Sequence, residues 1–327
     1  MNKKDLFKLT EKETKSIIKK DSFAIQYIDN PSIKIQLLAV KQKGTNIKYI
    51  ENPSEEVQLV AVTNEGLAIN YITNPSLEVQ LAAVKRNGLA IQFIKNPSLE
   101  VQLAAVNDNG RAIQFIKNPS LEVQLEAVNE DGYAIQHIEN PCEEVQLVAV
   151  REYGYAIQYI TNPSLEVQLE AVRQHGLALH DIKNPCLEVQ LEAVRRNGYA
   201  IQYIKNPSLE IQLEAVKKEG CSIECIKNPC LEVQLAAVKQ DGLAIQHIIN
   251  PSLEVQLETV RNLDSGVYYL DLRDYFKFPF EIQKTIFEQR EILPIVNQVY
   301  LEKIEKYLIE NNDKNYNKIM IELTLGR

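Results

Sequence analysis

The chain has 327 residues, 45% of them hydrophobic and 24% charged, with a net charge of −8. That composition fits a soluble folded protein, and the low glycine and modest proline counts argue against disorder. No apolar run approaches the roughly 18 residues that a membrane span requires, and the N-terminus MNKKDLFKLTEKETKSIIKK lacks the apolar core of a secretory signal, so no membrane association and a cytoplasmic location are expected. Cys142, Cys186, Cys221, Cys225 and Cys230 are odd in number, which fits reduced thiols better than a disulfide framework.

In chain order, residues 1–30 come first and contain a degenerate repeat that keeps the later register but lacks its proline. From Pro31 to Pro251 a proline preceded by asparagine returns every 22 residues, eleven times, with no insertion. A fixed period of this length means stacked supersecondary units, with atypical units closing the ends. The match continues weakly through Val267, Tyr269 and Leu270. Three segments follow: an N-terminal cap at 1–30, a repeat array at 31–270, and a helical C-terminal cap or small module at 271–327. The last carries the patterns FEIQKTIFEQRE and PIVNQVYLEKIEKYLIENN.

One unit, NPSLEVQLAAVKRNGLAIQFIK, stands for all. Asn74 reads as an N-cap, Pro75 as the first helical residue, Glu78 as a complement to the helix dipole, and Gly88 as a left-handed stop. The segment LAIQFIKN is too short for more than two helical turns or a 3₁₀ turn. LEVQL alternates as a strand would, but Ala83 and Val84 break the alternation, and the flanking signals bound a helix-length segment. The expected fold is therefore all-α: a right-handed α-solenoid of 22-residue units, each a long α-helix plus a short α or 3₁₀ helix.

The stretch NPSLEVQLAAVKRNG resembles a HEAT-type repeat helix, with Asn where that family has Asp before the proline and Gln where it has Arg. The short period and short second element are also similar to the leucine-rich-repeat variant, a solenoid of alternating α and 3₁₀ helices, and to helical-repeat proteins of bacteria and their phages. The likeness covers about residues 9–270. It implies a scaffold that binds other macromolecules. Together with the acidic charge, the phage likeness implies an inhibitor, one form of which would block a bacterial defence effector such as a CRISPR nuclease.

Every unit has Gln at the position of Gln80, from Gln36 to Gln256. A helical wheel sets Leu77, Leu81 and Val84 on one apolar stripe and Val79 and Ala83 on another, with Gln80 between them. An inward-facing amide needs a partner, since an unsatisfied one costs roughly 1–3 kcal/mol. Each Gln is expected to bond the Asn-Pro turn of its own or a neighbouring unit, as a neutral counterpart of the Asp and Arg ladder that the HEAT resemblance implies. Such a ladder would hold the stacking register.

On the short helix Ala90, Ile91 and Ile94 form the buried side and leave Leu89, Gln92 and Phe93 near the surface. The last of these positions is mostly aromatic: Tyr27, Tyr49, Tyr71, Phe93, Phe115, His137, Tyr159, Asp181, Tyr203, Cys225 and His247. At about 8–10 Å between neighbouring helices the column would form a ridge on the order of 100 Å, and Tyr-rich surfaces favour protein partners. The alternative is that the rings only pack between units. A second column, Arg151, Arg173, Arg195, Lys217, Lys239 and Arg261, reinforced by Arg196 and Lys218, suits phosphate contacts. Residues 31–263 nevertheless hold 20 Lys and Arg against 28 Asp and Glu, a net of −8. Pairs such as Glu170 with Arg173 and Glu192 with Arg195 read as solubilising contacts within a helix.

Catalysis has little support. His137, His175, His180 and His247 fall in columns that elsewhere hold Tyr, Asn or Gln, and each repeat glycine stands alone rather than in a phosphate-binding loop. Cys221, Cys225 and Cys230 lack a nearby fourth ligand for zinc. The expectation is a non-enzymatic scaffold with no metal and no cofactor, binding a protein as adaptor or inhibitor. A nucleic-acid-binding solenoid and a purely structural spacer are the alternatives.

Overall fold

The computed structural model describes residues 10–261, 280–288, 302, 305, 306, 309, 310 and 314–325, and among them α-helices alternate with six-residue 3₁₀ helices and no strand occurs. The chain forms two compact units, Met1–Glu170 and Ala171–Arg327. The first unit opens with Glu11–Lys20 and the 3₁₀ helix Ser22–Tyr27. It continues through the α-helices Ile33–Gln42, Glu55–Asn64, Leu77–Arg86, Leu99–Asp108, Leu121–Glu130 and Glu143–Glu152, each followed by a 3₁₀ helix beginning at the repeat glycine. The second unit carries Leu187–Arg196, Leu209–Lys218, Leu231–Gln240 and Leu253–Arg261 in the same alternation, then Phe280–Glu288 and Lys314–Leu325. Within each unit successive α-helices pack side by side, and successive 3₁₀ helices do the same. The fold is an all-α solenoid of 22-residue units. Val267, Tyr269 and Leu270 lie outside the described residues.

The turn that starts each α-helix works differently from the sequence expectation. Asn74 is not the N-cap; it sits in the left-handed region at φ 50°, as do all eleven turn asparagines. Asparagine tolerates that region because its short polar side chain costs little there. Pro75 follows, Ser76 caps the helix, and Leu77 is its first residue. The Ser76 hydroxyl accepts from the Val79 amide at 3.3 Å. Where cysteine replaces this serine, at Cys142, Cys186 and Cys230, no side-chain cap forms.

The glycine is also not a left-handed stop, since no glycine among the described residues has positive φ. Gly132 opens a 3₁₀ helix, and a Cβ on it would lie 2.6 Å from the carbonyl oxygen of Ala149 in the following repeat. Gly44, Gly66, Gly88 and Gly110 face the corresponding alanine carbonyl in the same way. Small residues therefore set how closely consecutive repeats stack.

Val79, Ala83, Val84, Ala90, Ile91 and Ile94 form the core of a repeat. Burying each Val or Ile contributes about 1.5–3 kcal/mol. Leu77 does not join them: it is exposed, as are Leu99, Leu121 and Leu165. Gln80 is half-buried, and its Nε2 donates to the carbonyl of Pro75 at 2.9 Å. All eleven glutamines repeat this bond within their own unit, from Gln36 to Pro31 through Gln256 to Pro251. The bond joins the residue before the cap to the fourth helical residue, the two positions that a hydrophobic staple joins. It fixes the angle at which chain enters helix and does not tie one repeat to the next. Contacts between repeats come from other side chains: Gln42 reaches the Ile18 carbonyl, Asn64 the Val40 carbonyl, and Asp108 the Gly88 amide.

Candidate partner-binding surface

In Gly88–Phe93, Ala90 and Ile91 turn into the core while Gln92 and Phe93 point out. Along the first unit Tyr27, Tyr71, Phe93, Phe115 and Tyr159 are 38–44% exposed. His137 is exposed and Tyr49 half-buried. The rings therefore occupy an open surface and in places also touch their neighbours. Phe23 meets Tyr49 edge-on at 5.2 Å, and Tyr133 meets Tyr159 edge-on at 5.8 Å. In the second unit Tyr203 is exposed with His180 edge-on at 4.9 Å, while Asp181, Cys225 and His247 are half-buried. Asp181 takes His180 Nδ1 at 2.8 Å, and His247 Nδ1 lies 3.4 Å from Glu224.

The residue before each ring adds an ordered polar group that the sequence reading left undeveloped. Gln92, Gln114, Gln136 and Gln158 each donate Nε2 to the carbonyl three residues back, at 2.9–3.0 Å. Their amides are thereby held in one orientation beside the rings. The signal was in the sequence, since Gln recurs immediately before the aromatic position. Lys48 replaces this glutamine, and its Nζ stands 4.8 Å from the ring centre of Tyr49, with Tyr71 and Phe23 at 5.8 and 5.9 Å. A hydrogen bond to Tyr49 raises the Lys48 pKa further, and the rings add cation–π attraction.

Between Gly88–Phe93 and Gly110–Phe115 a groove of about 560 Å³ opens, lined by Gln92, Lys95, Asn96, Pro97, Gln102 and Phe115 among others. Further along, Tyr133 and Tyr153 lie 4.6 Å apart; burial and the bond to Tyr153 push the Tyr133 phenol up to about 12. Its hydroxyl therefore stays protonated near neutral pH. Partial desolvation of the His137 ring beside its neighbours, then the charge of Arg111, lowers its pKa.

Half of the basic column is spent on ion pairs between repeats. Arg151 meets Glu170 at 3.6 Å in the first unit; in the second, Arg173 meets Glu192 at 3.6 Å and Arg195 meets Glu214 at 2.9 Å. Glu192, expected to pair with Arg195 of its own helix, instead reaches back to Arg173. Lys217 also approaches Glu214, at 3.8 Å. Arg196, Lys218 and Lys239 are exposed, and the side chain of Arg261 lies outside the described residues.

Among the described residues no three of His, Cys, Asp and Glu are placed to hold a metal ion. Cys221 is half-buried against Asp241, and burial, then that carboxylate, pushes its thiol up to about 11. Among the described residues no helix is long and apolar enough to cross a membrane. Compared with known proteins, the chain matches no family model, no curated protein and no solved structure.

Proposed function

We infer that the chain is a non-enzymatic repeat scaffold whose first unit binds a protein partner along its aromatic column, acting as an adaptor or inhibitor. The observation that carries this reading is the exposure of Tyr27, Tyr71, Phe93, Phe115 and Tyr159. Rings left two-fifths open are not held there by the core alone, and Tyr and Phe bring large contact areas with few torsions to freeze. The glutamines before them offer oriented amides for the polar part of the same interface. The paired arginines weigh against a phosphate backbone as the partner. The alternation of α and 3₁₀ helices accords with kinship to leucine-rich-repeat-variant solenoids, whereas the glutamines, bonded within their own repeats, lend no support to a HEAT-type ladder.

The test is affinity capture from the native host with the full chain and with Phe93→Ala/Phe115→Ala, read by mass spectrometry. A protein captured by the first and lost with the variant, while the thermal melt is unchanged, supports the reading. Equal capture by both sinks it. Affinity measured against salt then separates partner classes: phosphate contacts give a steep loss, an aromatic protein interface little. An inhibitor, including one directed at a bacterial defence effector, lowers the activity of the captured protein; an adaptor does not.

A further inference from the structure

A second surface lies at the start of the α-helices. In the first unit the first helical residue is Leu77, Leu99, Leu121 or Leu165, each 46–48% exposed. The residue after it is an exposed glutamate in six consecutive helices: Glu56, Glu78, Glu100, Glu122, Glu144 and Glu166. Among the described residues none of these six carboxylates has an ion pair or hydrogen bond, whereas Glu170 is paired to Arg151 and Asp131 to Arg111.

Folding alone accounts for part of this. A carboxylate in the first turn is favoured by the positive end of the helix dipole. The dipole gives no reason for a leucine beside it. The protein itself shows that the leucine is dispensable, because Glu55 and Glu143 hold the same position and begin helices of the same ten-residue length, with Val57 and Val145 fully buried. The exposed leucines are thus surplus to the core, and they stand in a row beside unpaired negative charge.

We propose that this edge of the first unit is a second docking surface, and that its occupant is a basic amphipathic helix of another protein, setting apolar side chains on the leucines and Lys or Arg on the glutamates. Charge complementarity selects the sign, since six unpaired carboxylates repel nucleic acid and anionic lipid alike. Spacing selects the form. Stacked helices repeat about every 8–10 Å and seven residues of an α-helix rise about 10.5 Å, so over two or three repeats an apolar residue every seventh position stays within a few ångström of successive leucines.

The probe is a fluorescein-labelled peptide of three Leu and Lys heptads, titrated against the full chain at low ionic strength and followed by anisotropy. Glu78→Lys/Glu100→Lys/Glu122→Lys should weaken binding by about tenfold or more, and added salt should weaken the unmodified pair in the same direction. Lysine is compatible with the fold here, since Lys34 occupies this position in Ile33–Gln42. Leu99→Ser/Leu121→Ser should also cost about tenfold, while Phe93→Ala/Phe115→Ala leaves the peptide's affinity unchanged and so keeps this surface separate from the aromatic one. The proposal is overturned if the peptide does not bind, if the charge-swapped chain binds it equally, or if a peptide with Glu for Lys binds as tightly. It is also overturned if the chain sediments as a dimer that Leu99→Ser/Leu121→Ser dissociates, because the occupant is then a second copy.

Discussion

Replacing Gly132 with alanine separates a local from a non-local reading of the repeat glycine. Gly132 has negative φ, and at such a site Gly→Ala ordinarily stabilises by about 0.4–1 kcal/mol through the unfolded chain. Here the new methyl would lie 2.6 Å from the Ala149 carbonyl oxygen and 3.2 Å from the Tyr153 Cβ. A relaxed carbon-to-oxygen contact is about 3.3–3.6 Å, so the two repeats must separate by roughly 0.7 Å or more. Overpacking of this kind costs about 1–3 kcal/mol, and the gap opened around it forfeits part of the dispersion between repeats. The entropic gain is smaller, leaving a net destabilisation of about 1–2 kcal/mol, and in a solenoid it falls mainly on one interface. Urea unfolding followed by circular dichroism measures it. A midpoint unchanged or raised in Gly132→Ala would show that close approach does not govern this position.

Gln146→Leu removes the 2.8 Å bond to the Pro141 carbonyl and should lower stability by about 1 kcal/mol; no change in the melting temperature would refute a stabilising role. Arg195→Ala, on an exposed pair with Glu214, should leave the thermal melt nearly unchanged, and a large fall in melting temperature would mean the pair is far less screened than its exposure implies. Alkylation should modify exposed Cys142, Cys186 and Cys230 well before Cys221, whose thiol is protonated at neutral pH; mass mapping that finds Cys221 among the first labelled contradicts the assignment. Because His137 binds its proton less readily folded than unfolded, its contribution is intact above its ordinary value of 6.5 and is lost as pH falls through 6.5 toward the lowered folded value. His137→Gln should flatten that part of the melting profile, and identical profiles would count against it.

Where sequence reasoning stopped can be seen at single residues. Burial of Ala90, Ile91 and Ile94 and the outward position of Phe93 were legible, because they follow from the order of apolar residues on one short helix. The functions of Asn74 and Ser76 were misplaced by two residues. Both types cap helices, and only backbone dihedrals distinguish a left-handed turn from a cap. Leu77 belongs to the apolar stripe on a wheel, but a wheel has no ends, and a side chain at the first helical position extends past the cover of its neighbours. The aromatic column was readable as a pattern. Its exposure was not, since that depends on how far each ring leans onto the next repeat.

By itself the amino-acid order determined the 22-residue period, the long and short helix in each unit, and the apolar residues that pair them, because these rest on contacts within a few residues along the chain. Tertiary structure alone decided why glycine stands at each junction, where the glutamine amide finds its carbonyl, and which arginine meets which glutamate. Those outcomes depend on atoms brought near by stacking about twenty residues away, or on which of several nearby carbonyls the turn presents, and no local pattern encodes either distance.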